Sequence, residues 1–311
     1  MQFLEPISNS KYTLPVVSGV CILLWFMFRG ESSWELFLGG LLVSSLMIYL
    51  IAELNNRNAL LRNGSRMHSS MTVLLITVFV QLHVFSYAHL MMIFVVITIH
   101  FLCRTTLVKS PVLSFLTYLI LSVISIFYLK ILFLVPVYWI CQIYMRSMSY
   151  KCFIASLLAL VTPYWLLLGY LVYREDYQAI TDGFSNLLFP APDYGSVTLV
   201  RLVQFVYILL VLAVGIVDYY HNKYKDKSKI RIIYVSVILQ TFFFLLLLLL
   251  QPQDFYIILP LLIVYASILG GHFFALTYTK YSHISSLVFL ALSVLVLAFS
   301  VNSELFMIWN H

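Results

Sequence analysis

Charged residues are scarce in this 311-residue sequence: Asp, Glu, Lys and Arg make up 10% of it, whereas they make up about 25% of an average soluble domain. Hydrophobic residues account for 62%. These two shares exclude a soluble globular protein and a disordered chain. The remaining class is an α-helical protein that crosses a membrane several times.

Cysteine is rare too, and no C-x-x-C pair occurs. This excludes a disulfide-rich secreted scaffold. We expect all four cysteines to be reduced thiols that pack like small apolar side chains, without a disulfide. They are Cys21, Cys103, Cys141 and Cys152.

Nucleotide-binding motifs are missing: the sequence has neither the G-x-x-x-x-G-K-[ST] run of a P-loop nor the G-x-G-x-x-G fingerprint of dinucleotide-binding folds. It therefore predicts no P-loop ATP hydrolysis and no bound cofactor. No aromatic-plus-basic pattern of the RNA-binding kind occurs, so we expect no nucleic-acid partner.

Eleven apolar runs predict an all-α, polytopic transmembrane helix bundle. Two runs, His89–Cys103 and Ile131–Met145, have only 15 residues. At ~1.5 Å per residue each covers about 22 Å of a ~30 Å hydrocarbon core, so the count is nine to eleven spans. The eleven are Thr13–Phe28, Glu35–Ala52, Met71–Ala88, His89–Cys103, Val112–Leu129, Ile131–Met145, Cys152–Tyr173, Leu199–Tyr219, Ile232–Leu250, Phe255–Phe273 and His283–Val301.

The distribution of basic residues predicts the orientation. With eleven spans and a cytoplasmic N-terminus, fourteen of the 18 Lys and Arg fall on the cytoplasmic side and four on the outer side. Basic residues gather on the cytoplasmic side of membrane proteins, so we expect the N-terminus inside and the C-terminus outside. The outer four are Arg29, Lys130, Arg174 and Arg201.

The loops are too short for a soluble domain, so residues 1–311 are predicted to form one integral membrane domain. The longest outer loop is 174–198, and the main inner loop is the basic segment 221–231. Its cations would attract anionic lipid head groups at about 1 kcal/mol per residue; the alternative is a simple orientation anchor. They are Lys223, Lys225, Lys227, Lys229 and Arg231.

No acid or base lies near the middle of a predicted span; Asp218 is at the inner end of one, and Arg201 is just inside its outer end. Charges inside spans mark ion pathways, so their scarcity argues against an ion-coupled transporter. The neutral polar residues in the spans are predicted to be hydrogen-bond partners between helices. They are Gln81, His100, Thr162, Gln204 and Gln240.

The predicted outer face holds the densest polar chemistry. Its catalytic candidates are Glu31, Arg174, Glu175 and Asp176, with Glu35 and Asp182 nearby. Paired carboxylates could act as acid and base or hold a divalent metal, and an Arg could hold a phosphate. The alternative is a solvated loop with interfacial anchors. His272 and His283 show no third ligand, so no metal site is predicted.

Several short motifs resemble an uncharacterised family of Bacteroidota membrane proteins. They are the N-R-x-x-L-like stretch in Ala52–Arg62, the T-P-Y helix at Thr162–Tyr164, where Ala159 replaces an expected Gly, and the G-H-F-like segment Gly270–Phe273. The resemblance implies a bacterial membrane compartment and no reaction.

The paired short spans between Met71 and Met145 also resemble the multispanning polyprenyl-phosphate-dependent glycosyltransferases. In that family a long first outer loop carries the catalytic acid. Here the loop is short, and Glu31 is the residue that this resemblance would make catalytic.

These observations leave three hypotheses. The first is a non-catalytic inner-membrane subunit or scaffold of cell-envelope assembly, with membrane lipids and other envelope membrane proteins as partners. The second is an enzyme that acts on a polyprenyl-phosphate-linked glycan at the outer face. The third is a transporter or flippase.

Overall fold

The computed structural model describes residues 12–28, 33–61, 65–175, 192–276 and 280–309. In these ranges the chain forms eleven α-helices and no strand. They are α1 (Thr13–Met27), α2 (Trp34–Asn58), α3 (Met67–Val78), α4 (Tyr87–Thr105), α5 (Pro111–Phe127), α6 (Leu134–Tyr144), α7 (Tyr150–Tyr173), α8 (Leu199–Asn222), α9 (Ser228–Leu250), α10 (Phe255–Leu276) and α11 (Lys280–Trp309).

The all-helical prediction is confirmed. Seven helical segments of the described chain are long and apolar enough to cross a membrane, which is consistent with a multi-pass membrane protein. One of the two short predicted runs belongs to these seven, because α4 has 19 residues. The other is a 3₁₀ segment, Leu129–Phe133, followed by α6 with 11 residues. The eleven-span count and the orientation stay predictions.

Polar residues just before the apolar runs determine where three helices begin. The Ser110 hydroxyl accepts from the backbone N–H of Leu113, and Pro111 follows at the first helical position, where its missing N–H costs nothing. Ser149 caps α7 and Thr198 caps α8 in the same way. Such caps typically stabilise a helix by about 1 kcal/mol.

The largest difference from a predicted run is at the end of α3. The run predicted to end at Ala88 leaves the α-helix at Val78, because a 3₁₀ turn and two buried histidines build a folded connection to α4. The His83 Nε2 lies 2.9 Å from the Thr77 carbonyl oxygen, and the His89 Nε2 lies 3.0 Å from that of Leu82. These ring nitrogens bind backbone groups that the apolar chain leaves free.

The predicted inner loop 221–231 is also shorter than expected. α8 continues to Asn222, a 3₁₀ turn covers Lys223–Lys225, and α9 begins at Ser228. Lys229 and Arg231 therefore lie in the first turn of α9.

The described chain divides into two compact units, which we call unit 1 (1–93, 195–227 and 255–311) and unit 2 (94–194 and 228–254). The chain passes between the units at four places: within α4, at residues 194–195, just after the 3₁₀ turn that follows α8, and just before α10. The single membrane domain over 1–311 stays a prediction.

In unit 1, α10 is the central helix: it is almost wholly buried and packs against α3 and α8. Two glycines let these helices approach closely. A Cβ on Gly215 of α8 would lie 2.8 Å from the Leu269 carbonyl carbon, and a Cβ on Gly271 would lie 2.8 Å from the His68 Cα. The backbones of α8 and α3 therefore contact α10 without intervening side chains.

In unit 2, α5 and α7 form the most extensive helix pair, and α6 packs on α9. Hydroxyl groups join α5 to α7: the Ser125 Oγ lies 2.6 Å from the Tyr164 hydroxyl, and the Ser122 Oγ donates to the Leu160 carbonyl. All four cysteines of the chain are described, and all are buried free thiols.

Candidate functional site at the basic end of unit 1

Four buried titratable side chains converge where α8 and α10 end, α3 begins and the loop 223–227 leaves unit 1. We call this end the basic end, after the lysines of that loop. The four residues, which we call the His–Asp cluster, are His68, Asp218, Asp226 and His272.

Asp218 enters the cluster from the last turns of α8 and is 8% exposed. The Asn222 amide, one helical turn further on, donates to Asp218 Oδ1 at 2.8 Å. This short-range bond fixes the carboxylate, so that Oδ2 faces His272 of α10.

Asp226 enters the cluster from the loop. The 3₁₀ turn ends there, with the Asp226 N–H donating to the Lys223 carbonyl at 3.1 Å. The backbone of Asp226 is extended, and its side chain is fully buried although both neighbouring residues are exposed. A buried carboxylate in an otherwise basic, solvated loop is costly unless a donor meets it.

That donor is His272, which is 0% exposed. Its Nε2 lies 3.3 Å from Asp226 Oδ2, and its Nδ1 lies 3.5 Å from Asp218 Oδ2. The ring of Tyr219 packs edge-on against the imidazole, with centroids 6.0 Å apart. Both ring nitrogens of one histidine therefore face carboxylates.

His68 completes the cluster from the first turn of α3 and lies against Gly271, next to His272. The connection before α3 is fastened by Asn55. Its amide donates to the Ser65 carbonyl at 2.9 Å, and its oxygen accepts from the Leu61 N–H at 3.1 Å. Asn55 thus fixes the entry of α3 at the cluster.

The cluster is suited to binding and releasing a proton. An imidazolium donates from both ring nitrogens, whereas a neutral imidazole has one donor and one acceptor. With His272 protonated, both carboxylates face a donor. With His272 neutral, one carboxylate faces a second acceptor, which costs free energy in a buried site. The contact that holds the loop through Asp226 therefore depends on protonation.

Other chemistry fits this site less well. In the described ranges no group of three His, Cys, Asp or Glu side chains could hold a metal ion. Because His272 is completely buried, it does not face a space that a substrate could enter. Proton binding is the chemistry that the geometry supports.

A second buried ionic group lies in unit 2, at the turn between α5 and α6. The Lys130 ammonium donates to Asp254 Oδ2 at 2.6 Å and to Gln251 Oε1 at 2.7 Å, and the Tyr128 hydroxyl donates to the same Asp254 oxygen at 2.7 Å. The Tyr128 phenol is a donor in this group, so two donors meet one carboxylate oxygen.

Some of the neutral polar residues of the spans form hydrogen bonds between elements or within one. Gln204 of α8 exchanges amide hydrogen bonds with Gln81 at 3.1 and 3.4 Å and donates to the Ser300 hydroxyl of α11. This agrees with the predicted role. Thr162 differs, because its hydroxyl donates to the Leu158 carbonyl of its own helix.

The predicted outer candidates are not brought together among the described residues. Arg174 and Glu175 are exposed at the end of α7, with the guanidinium 5.5 Å from the ring centre of Tyr170. Glu35 is exposed in the first turn of α2. Glu31, Asp176 and Asp182 lie outside the described residues. The catalytic roles of these residues stay predictions.

The sequence alone does not predict the His–Asp cluster, because its members lie far apart in the chain. Asp218 and His272 stand near the ends of different predicted spans, and no local motif links them to His68 or Asp226. The available signal was the G-G-H segment of α10: its glycines permit close approach, so its histidine meets groups from other helices.

No family model, curated protein or solved structure matches the chain. The resemblance drawn from the short motifs and the one drawn from the paired short spans both stay predictions.

Proposed function

We propose that the protein is a lipid-moving transporter (a flippase) of the bacterial inner membrane that serves cell-envelope assembly, with protonation of the His–Asp cluster controlling its cycle. The observation that carries the proposal is the fully buried His272, whose two ring nitrogens lie 3.3 and 3.5 Å from separate carboxylates. Ionisable groups are expensive to bury among membrane spans, and they typically serve proton relays in pumps and transporters.

Chain connectivity indicates how protonation would act. Asp226 closes the turn after α8, and α9 of unit 2 begins two residues later, at Ser228. Loss of the proton from His272 weakens its hold on Asp226 and frees the start of this connection. A lipid substrate is supported by an apolar cleft between spans of unit 1, described below.

The test is lipid translocation in proteoliposomes. Phosphatidylglycerol or polyprenyl phosphate with a fluorescent label is placed in the inner leaflet, and its arrival outside is followed by dithionite quenching, with and without a pH gradient. We expect the parent protein to speed the movement of at least one lipid in a gradient-dependent manner. His272→Gln and the isosteric Asp226→Asn should abolish that gradient dependence.

Glu53→Gln is the matched control, because Glu53 pairs with Arg57 one turn away on the partly exposed side of α2. It removes a carboxylate without touching the cluster. If neither lipid moves faster than in protein-free vesicles, or if the two cluster variants keep the parent's gradient dependence, the transporter proposal is overturned and the scaffold hypothesis regains first place.

A further inference from the structure

Unit 1 has an apolar cleft of about 280 Å³ between α8, α10 and α11. Its walls include Tyr207 and Val214 of α8, Phe274 of α10 and Val288 of α11. Val214 and Val288 are both about half exposed, at 45% and 51%, so the cleft opens at the protein surface. All three helices are candidate membrane spans, so hydrocarbon rather than water would meet the opening.

One exposed stripe of α8 runs from the cleft towards the end of the helix, where the lysines of the 3₁₀ turn follow. Leu210, Val214 and Val217 follow at spacings of four and three residues, which places them on one helical face, and Tyr224 lies in the 3₁₀ turn beyond it. The last two are 68% and 78% exposed. From Val214 to Lys223 the helix rises about 14 Å, at ~1.5 Å per residue, which is within the length of a fatty acyl chain.

The 3₁₀ turn that follows α8 places lysines beside aromatic rings. The Lys223 ammonium lies 4.8 Å from the ring centre of Tyr220 and 5.2 Å from that of Tyr224. Lys225 donates to the Asn222 side chain at 2.8 Å and is exposed, as is Lys227. Tyrosines beside lysines at the end of a span are typical of the head-group level of a membrane.

We propose that unit 1 binds an anionic phospholipid, with one acyl chain in this cleft and its phosphate beside Lys223 and Lys225. The cleft supplies the apolar half of the site, and the lysines supply positive charge. An anionic head group neutralises that charge better than a zwitterionic head group does. Asp226 does not oppose them, because its carboxylate is buried against His272. The site uses the cleft that supports a lipid substrate in the proposed function, and it adds the class of head group and the residues that bind it. Binding here does not require translocation.

Native mass spectrometry of the full chain with phosphatidylglycerol and phosphatidylcholine of equal chain length tests the site. We expect tighter binding of phosphatidylglycerol, and Lys223→Gln with Lys225→Gln to remove that preference, with a loss of about fivefold for each lysine. Val288→Trp, which fills the cleft, should weaken binding of both lipids.

The controls are Lys109→Gln with Lys151→Gln, which removes two exposed lysines of unit 2, and Val294→Trp, an exposed α11 position that does not line the cleft. Equal affinity for both lipids, equal losses in the controls, or equally tight binding of a six-carbon-chain phosphatidylglycerol would overturn the site. Displacement by millimolar inorganic phosphate would do so too, because it would show an anion site without a chain. A protein that binds the lipid but does not move it keeps this site and loses the proposed function.

Discussion

Each unit has one buried ionic group in which an aspartate near the start of a helix meets a basic side chain, and the basic side chain differs between the two. In unit 2, Asp254 stands just before α10 and meets Lys130; in unit 1, Asp226 stands just before α9 and meets His272. An ammonium group has three donors, whereas an imidazole gains its second donor only by binding a proton. Asp254 thus meets a group that offers several donors, whereas Asp218 and Asp226 share an imidazole that offers two donors when protonated and one when neutral.

The difference extends to the number of donors. Asp254 Oδ2 accepts from both the Lys130 ammonium and the Tyr128 hydroxyl, so its pairing does not depend on one group. In unit 1 two carboxylates share one imidazole. The contacts in unit 1 therefore change with the protonation of one ring, whereas those of Asp254 come from two separate groups. This difference underlies the proposed function.

The largest effect on stability is expected when Asp254 loses its lysine partner. Lys130→Met leaves the Asp254 carboxylate partly buried without its cation, and we expect the free energy of unfolding to fall by about 3 kcal/mol. Thermal unfolding in detergent measures it. Lys151→Met removes an exposed lysine of the same unit as the control. A loss below about 1 kcal/mol would show that the ion pair is not a structural clamp.

The second largest loss of stability is expected when the close contact between α8 and α10 is disturbed. Gly215→Ala places a Cβ 2.8 Å from the backbone of Leu269, so the helices must separate, at a cost of about 2 kcal/mol. Separation would also pull Asp218 away from His272. Gly169→Ala is the control, because no atom lies within 4 Å of its Cβ position. Equal unfolding temperatures for both variants would refute the role of this contact.

A change at Asn55 tests how the chain before His68 is held at the His–Asp cluster. Asn55→Ala removes two buried hydrogen bonds that fasten the connection before His68, and we expect a loss of about 1.5 kcal/mol. The exposed neighbour changed in Asn56→Ala should matter little. Urea unfolding of both variants, side by side, checks the difference; similar midpoints would mean that Asn55 does not hold this entry.

The smallest effects are expected at the outer candidates. Arg174 and Glu175 are exposed, so Arg174→Ala and Glu175→Ala should change stability by no more than about 0.5 kcal/mol. Lipid translocation should also stay at the parent's level. Loss of translocation in a normally folded Arg174 variant would indicate that the functional residues lie at the predicted outer face, which would favour the enzyme hypothesis.

Composition was enough to predict the helices, because apolar runs of this length form little else in a membrane. The turn built around His83 and His89 was not predictable, since its hydrogen bonds join side chains to carbonyls of the broken helix. The His–Asp cluster joins residues from three separate segments of the chain, and no local pattern reports that Asp226 turns inward while its neighbours stay exposed.

Proton-dependent retention of the loop by His272 is the central claim, and hydrogen exchange of residues 223–227 over a pH series tests it most directly. After correction for the intrinsic pH dependence of exchange, we predict that protection in the parent falls as pH rises and His272 loses its proton. In His272→Gln, protection should be weaker and independent of pH. Equal, pH-independent protection in both proteins would contradict the account.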